Sequence, residues 1–376
     1  MSTNVKTNIP KMVVNDVIDL MMSMYRHPIN KMEGFSIKNT PSVMLWGAPG
    51  VGKSQAVRAL ANRITKETNK KVNVIDVRLL LFNPVDLRGI PTSDVNKQFS
   101  IWLKPKIFDM DESDDVVNIL FLDEITAAPQ SVQAAAYQIT LDRIIGEHKI
   151  PDNCIIIAAG NRITDKSVAY KMPKALGKRL IHFEVYCTID DWKKWALKNN
   201  IDSRIIGFLT QHGDNKLMDF DTQNDDVAYP TPRSWEAVDK IIKLFDGNIN
   251  AAENLIAGAI GSGAMIEFTA WTQVYDKIPN IMDIFEGKCK QDLKKESPDV
   301  NFAVYSSIVN YVSTKFSDDK KAIGNVFTYI MKNMTPEFQV LIVKDIKNSN
   351  PNAISVLLKI PECSEWLNKN EDLLSI

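Results

Sequence analysis

Residues 47–54 read Gly47-Ala48-Pro49-Gly50-Val51-Gly52-Lys53-Ser54, a GxxxxGK[ST] spacing whose residue types suit a polyphosphate. Gly50 and Gly52 let backbone N–H groups turn inward where a side chain would intrude. In this pattern Lys53 reaches the β/γ-phosphates and the Ser54 hydroxyl ligates Mg²⁺. The N-terminus of a following helix adds its partial positive charge. Downstream, Val116-Val117-Asn118-Ile119-Leu120-Phe121-Leu122-Asp123-Glu124 is an apolar run ending in two carboxylates. Asp123 suits Mg²⁺, directly or through water, and Glu124 suits the general base that polarises an attacking water. A third apolar run, Cys154-Ile155-Ile156-Ile157-Ala158-Ala159-Gly160, ends at Asn161. Asn161 either orients the water or the γ-phosphate, or simply starts a turn with Gly160, and the residues alone leave both readings open. Asp86-Leu87-Arg88-Gly89 fits the DxxG pattern of small GTPases, but no Asn-Lys-x-Asp guanine reader follows it. The chemistry these residues share is therefore ATP hydrolysis with ATP and Mg²⁺.

Such residues work only if a scaffold brings them to one place. Apolar strand-like runs at 43–46, 72–77, 118–122, 154–159 and 180–185 alternate with helical stretches at 53–67 and 129–142. That alternation predicts an α/β parallel sheet with helices on both faces, whose ligands sit at the carboxyl edge of the strands. Apolar spacing predicts a helix from 11 to about 33 ahead of the loop. The segment 83–105 is too long for an idle loop. Asp94-Val95-Asn96-Lys97 reads as a hairpin tip with Phe99, Ile101 and Leu103 on one face; Phe99 and Trp102 either touch a substrate or pack on the sheet. A second short hairpin is expected at 143–150. After Cys187 the pattern turns helical, at 189–199, 203–212, 232–245, 250–262 and 267–276, then again at 300–314, 318–333, 335–347 and 351–359. The expected organisation is an α/β nucleotide domain over 11–187, a helical lid over 188–287 and a helical C-terminal extension over 288–376.

The 45 basic residues nearly balance the 46 acidic ones, so global charge offers no argument for nucleic acid or an acidic membrane. No apolar run is long enough to cross a bilayer, and the N-terminus lacks the apolar segment of a secretory signal, so the expected location is cytoplasmic. Cys154, Cys187, Cys289 and Cys363 form no CxxC pair, and the four histidines show no metal-ligand spacing.

In its order of motifs the chain resembles an AAA+ ATPase, with wording closest to the MoxR-type branch over about 40–245. Asp86-Leu87-Arg88-Gly89, then Phe99-Ser100-Ile101-Trp102, then Lys104-Pro105-Lys106-Ile107-Phe108 follow that branch's motifs between the two nucleotide signatures; the last lacks the family's glycine. Asp123-Glu124-Ile125-Thr126-Ala127-Ala128-Pro129 follows its extended acidic motif. The resemblance implies that Asn161 is sensor 1, that Arg179 is an arginine finger acting on a neighbouring subunit, and that Arg233, in Pro232-Arg233-Ser234, is sensor 2. Arg162 is a rival for the finger. It also implies a ring, most commonly a hexamer, a partner with a von Willebrand A domain, and remodelling or maturation of a client protein. A hairpin inserted in the second helix would face the pore or a substrate.

Overall fold

The computed structural model describes residues 9–162, 165, 170, 172, 177–219, 226–360, 366–367 and 369–370. They fall into two compact units, 1–187 and 188–376.

In the first unit six parallel strands stand in the order β1-β10-β2-β9-β6-β3. They comprise β1 (Lys11–Val13), β2 (Ser42–Trp46), β3 (Lys71–Arg78), β6 (Val116–Asp123), β9 (Cys154–Gly160) and β10 (Leu180–Tyr186). Of the four inner strands, β2, β9 and β6 are almost wholly buried, which is why they read as unbroken apolar runs rather than alternating ones. Two helices follow the local signals closely, α2 (Lys53–Thr68) and α4 (Gln130–Asp142). Met44, Leu120, Leu122, Ile156 and Ala158 meet Val132, Ala136 and Ile139 of α4 in one core. On α2 packs α1 (Val14–Ile29), which buries Val17, Met21, Met22 and Tyr25.

Residues 11–13, expected to start a helix, instead form β1 and pair with Glu184–Tyr186 at the sheet edge. Three residues hold no period of their own, so this strand exists only because β10 offers an open edge. The helix begins one residue later, at Val14.

Between β3 and β6 lie the short helix α3 (Pro84–Arg88) and an antiparallel hairpin of β4 (Ile90–Ser93) and β5 (Ser100–Leu103). Asp86 accepts from the Asn83 backbone N–H at 2.7 Å and so closes the α3 cap. The hairpin tip is pinned by Asp94, whose Oδ1 accepts from Gln98 N and Phe99 N at 2.7 and 2.9 Å. Phe99 is 70% exposed, so it does not pack on the sheet, whereas Trp102 is half-buried. A second hairpin pairs β7 (Ile144–Ile145) with β8 (His148–Lys149), turning at Gly146-Glu147.

The second unit is helical among its described residues. Ser203–His212 crosses Pro298–Ser313 closely at Gly207, where a Cβ would lie 2.7 Å from both Ser306 Oγ and the Trp271 ring. Phe208 fills the space beside it, within 6 Å of the Trp235, Phe268 and Trp271 rings. Asn310 donates to the Ile201 carbonyl at 3.3 Å. Helices from either side of residue 288 thus share one core. The helical stretch expected at 250–262 stops at Ile260, because Gly261 takes φ 85°, and a new helix runs Ser262–Thr272.

A buried ion pair ties this unit together: Lys193 Nζ lies 2.8 Å from Asp345 Oδ2, both almost fully enclosed. Tyr305 donates its hydroxyl to the same carboxylate. Burial, then the Asp345 charge, pushes the Tyr305 phenol well above its ordinary range. Removing the carboxylate leaves the buried Lys193 ammonium with the exposed Asp190 carboxylate, at 3.5 Å, in place of its close buried partner. Asp345→Ala is therefore expected to destabilise the protein by about 3–5 kcal/mol, read as a lowered urea midpoint. An unchanged midpoint would mean that the site hydrates freely.

Cys154, Cys187 and Cys289 are reduced thiols. Burial pushes Cys154 up to about 12, which makes it an inert core residue. Cys363 lies outside the described residues. No described helix is long and apolar enough to cross a membrane.

Candidate nucleotide site

Register decides what meets at the carboxyl edge of the sheet. Trp46 pairs with Gly160 and with Glu184, and Leu122 pairs with Ala158. The chain therefore leaves β2, β9 and β6 at nearly one level, delivering Gly47, Asn161 and Asp123-Glu124 to the same rim.

The loop itself is shaped by its glycines. Gly50 and Gly52 take φ 78° and 108°, the region that favours glycine, and Gly52 is the residue from which α2 starts. Lys53 opens that helix yet is only 9% exposed. Its ammonium donates to the carbonyls of Gly47 and Ala48 at 2.6 and 3.0 Å and to Asn161 Oδ1 at 2.9 Å. Ser54 Oγ donates to Asp123 Oδ2 at 3.0 Å. Four of the expected residues thus converge in two contacts, Lys53 with Asn161 and Ser54 with Asp123.

Asn161 does more than begin a turn. Its side chain meets Lys53, while its carbonyl accepts from Thr126 Oγ1 at 3.1 Å, which ties it to the segment after Glu124. Glu124 stands at φ 55°, a left-handed conformation rare for a non-glycine residue, at a cost of about 1–3 kcal/mol. Two contacts hold it there: its own N–H donates to Asp123 Oδ1 at 2.9 Å, and Ile125 N–H donates to Ala159 O at 3.0 Å. The strain falls on the residue expected to act as base, half-buried beside the hydroxyl–carboxylate pair.

Ser54 Oγ and Asp123 Oδ2 are the hard oxygen donors that Mg²⁺ prefers, and a site with few protein ligands matches an ion whose other ligands are phosphate oxygens and water. The residues present fit a Mg²⁺–nucleotide. Sequence reading missed Asp76 on β3. Burial, then the neighbouring Asp123 carboxylate, pushes its carboxyl above the ordinary range, and Arg58 stands 3.8 Å away. No motif marks it, since only the pairing of β3 with β6 brings it near.

The two candidate arginines differ in surroundings. Arg162 is held within its own unit: Nη2 lies 2.7 Å from Asp165 Oδ1 and Nη1 lies 2.5 Å from Glu184 Oε1, with both carboxylates buried. Arg179 lies in an exposed turn just ahead of β10. Arg233 belongs to the other unit, exposed in the first turn of the helix Pro232–Leu244, whose cap is Thr231.

Residues 43–182 match the model of the ATPase family associated with various cellular activities (AAA). Among solved structures, the chain is similar to C. elegans PCH-2 at 19% identity, over 68% of this chain and 67% of that one, with a TM-score of 0.34. A Thermotoga maritima RuvB variant aligns at 12% identity over 89% and 91% of the two chains, with a TM-score of 0.37. No curated protein gives a significant match. The first unit is an α/β P-loop fold whose residues 43–182 match that family model, and a helical region follows it in the chain.

Proposed function

We propose that this chain hydrolyses ATP with Mg²⁺ at a site completed by a neighbouring subunit, and uses the cycle to remodel or mature a partner protein in the manner of MoxR-type ATPases. The observation that carries the reading is the contrast at the nucleotide rim. Lys53, Ser54, Asp123 and Asn161 are gathered within one subunit, while Arg179 stands exposed and outside that set.

In this reading the loop amides and Lys53 bind the phosphates, and Ser54 with Asp123 hold Mg²⁺, which supplies charge neutralisation when bound. Asn161 orients the attacking water and Glu124 takes its proton. Arg162 cannot serve a neighbour without breaking two buried ion pairs, which favours Arg179 as the finger. Arg233 would act as sensor 2 at the start of the lid. The ring, commonly hexameric, and the von Willebrand A-domain partner follow from the resemblance to the MoxR-type branch. The exposed β4–β5 tip, with Val95 and Phe99 outward, suits contact with a client polypeptide.

Lys53→Ala is expected to abolish nucleotide binding, because the loop loses its ammonium. Calorimetric titration showing unchanged ATP affinity would sink the assignment. Specific activity should also rise with protein concentration as subunits assemble; a constant value from a monomer by sedimentation would remove the ring. To test the partner, Glu124→Gln protein is mixed with purified von Willebrand A-domain protein in ATP and in ADP. Retention in neither state counts against that part of the reading.

A further inference from the structure

Trp46 is the last residue of β2, directly before Gly47 of the nucleotide loop. Its indole Nε1 lies 2.8 Å from His182 Nδ1, with the two rings stacked at 27°. An indole N–H can only donate, so Nδ1 accepts and the neutral imidazole carries its proton on Nε2. Nε2 then donates to the Gly177 carbonyl at 2.6 Å. The strand register makes this chain possible. Glu184 pairs with Trp46 across the ladder, and His182, two residues earlier, projects to the same face as Glu184. Glu184 in turn holds Arg162, which follows Asn161 directly.

The turn that carries Arg179 therefore begins at a residue clamped by the strand that the turn leads into. That clamp is itself tethered to the residue bounding the nucleotide loop. Both rings are half-buried, which shelters the two hydrogen bonds from water.

We propose that His182 is the positioning residue for the Arg179 segment, linking the arginine a subunit offers its neighbour to the foot of its own nucleotide loop through Trp46. The inference rests on the reading of Arg179 as a finger acting on the next subunit. On that basis His182 acts through the subunit that donates the arginine and not through the subunit whose loop hydrolyses ATP.

Mixed assemblies separate the two. Lys53→Ala subunits present Arg179 but cannot bind nucleotide; Arg179→Ala subunits bind nucleotide but present no arginine. Mixed together, they should regain part of the hydrolysis that each lacks alone. Adding His182→Ala to the Lys53→Ala subunit should cut the regained rate by about 10–10²-fold, the scale of an ångström's misplacement. Adding it to the Arg179→Ala subunit should leave the regained rate as it was. His182→Gln in the Lys53→Ala subunit should restore most of the rate, since its amide can donate to Gly177 and accept from Trp46. His182→Ala alone should lower kcat with KM for ATP unchanged. If His182→Ala does not fold by circular dichroism, His182→Phe, which keeps the stacking on Trp46, replaces it in the same arms. Equal losses in the two placements, or no loss in either, overturn the proposal. Mixed assemblies that form without any regained rate in the parent pair overturn the reading of Arg179 and the proposal with it.

Discussion

Arg179→Ala is expected to lower ATP turnover by about 10³–10⁵-fold, the worth of an arginine placed against a transferring phosphoryl group. Nucleotide affinity should stay near that of the unaltered protein, because Lys53, Ser54, Asp123 and Asn161 already form their contacts without it. The effect belongs to the transition state. Charge gathers on the equatorial oxygens as the phosphoryl group moves, and a guanidinium delivered from outside meets that charge after water has been excluded. Arg162→Ala supplies the contrast. It removes a side chain bound to Asp165 and Glu184, so it should lower stability by taking the guanidinium from the buried Asp165 carboxylate, while Glu184 keeps Lys11 at 3.3 Å, as well as disturb Asn161 beside it. Single-turnover hydrolysis, with binding measured separately, distinguishes the two. An Arg179→Ala protein hydrolysing at the unaltered rate as an assembled ring would eliminate it as the finger.

Glu124→Gln should retain ATP and slow its hydrolysis by about 10²–10⁴-fold, since an amide of the same shape cannot take the water's proton. The left-handed φ of 55° supports this assignment on its own terms. A strained backbone persists where the surroundings over-determine it, and here Asp123 and Ala159 hold the turn from both sides. Because the substitution leaves Asp123 and Ser54 untouched, Mg²⁺-dependent binding should survive. Binding lost together with turnover would mean that Glu124 holds the nucleotide rather than the water. Turnover at the unaltered rate would place the base elsewhere.

Much of the site was legible because its signals are local. Gly47–Ser54 is one contiguous run whose backbone conformation is dictated by glycines within it, and the strand before it declares itself as a short apolar run and the helix after it by period. The acidic pair could be read for the same reason, since a buried strand that ends in two carboxylates is visible in nine consecutive residues. Asn161 was legible as a position but not as a role. Whether it turned the chain or met the loop depended on Lys53, which lies on another strand–helix unit.

The amino-acid sequence by itself determined the phosphate loop, the acidic strand end, the five long parallel strands and most of the helices, because each is encoded in propensities and periods a few residues long. Tertiary structure alone decided four things. Lys11–Val13 became a strand because β10 left an edge free, although these three residues carry no signal. Asp76 came beside Asp123 through the pairing of β3 with β6. Arg162 was drawn onto Asp165 and Glu184, leaving Arg179 as the exposed arginine of the pair. Trp46, His182 and Gly177 joined into one hydrogen-bonded chain. In each case the partners are set by strand order and register, which are fixed by which buried faces meet across the whole sheet, and no stretch of adjacent residues records that.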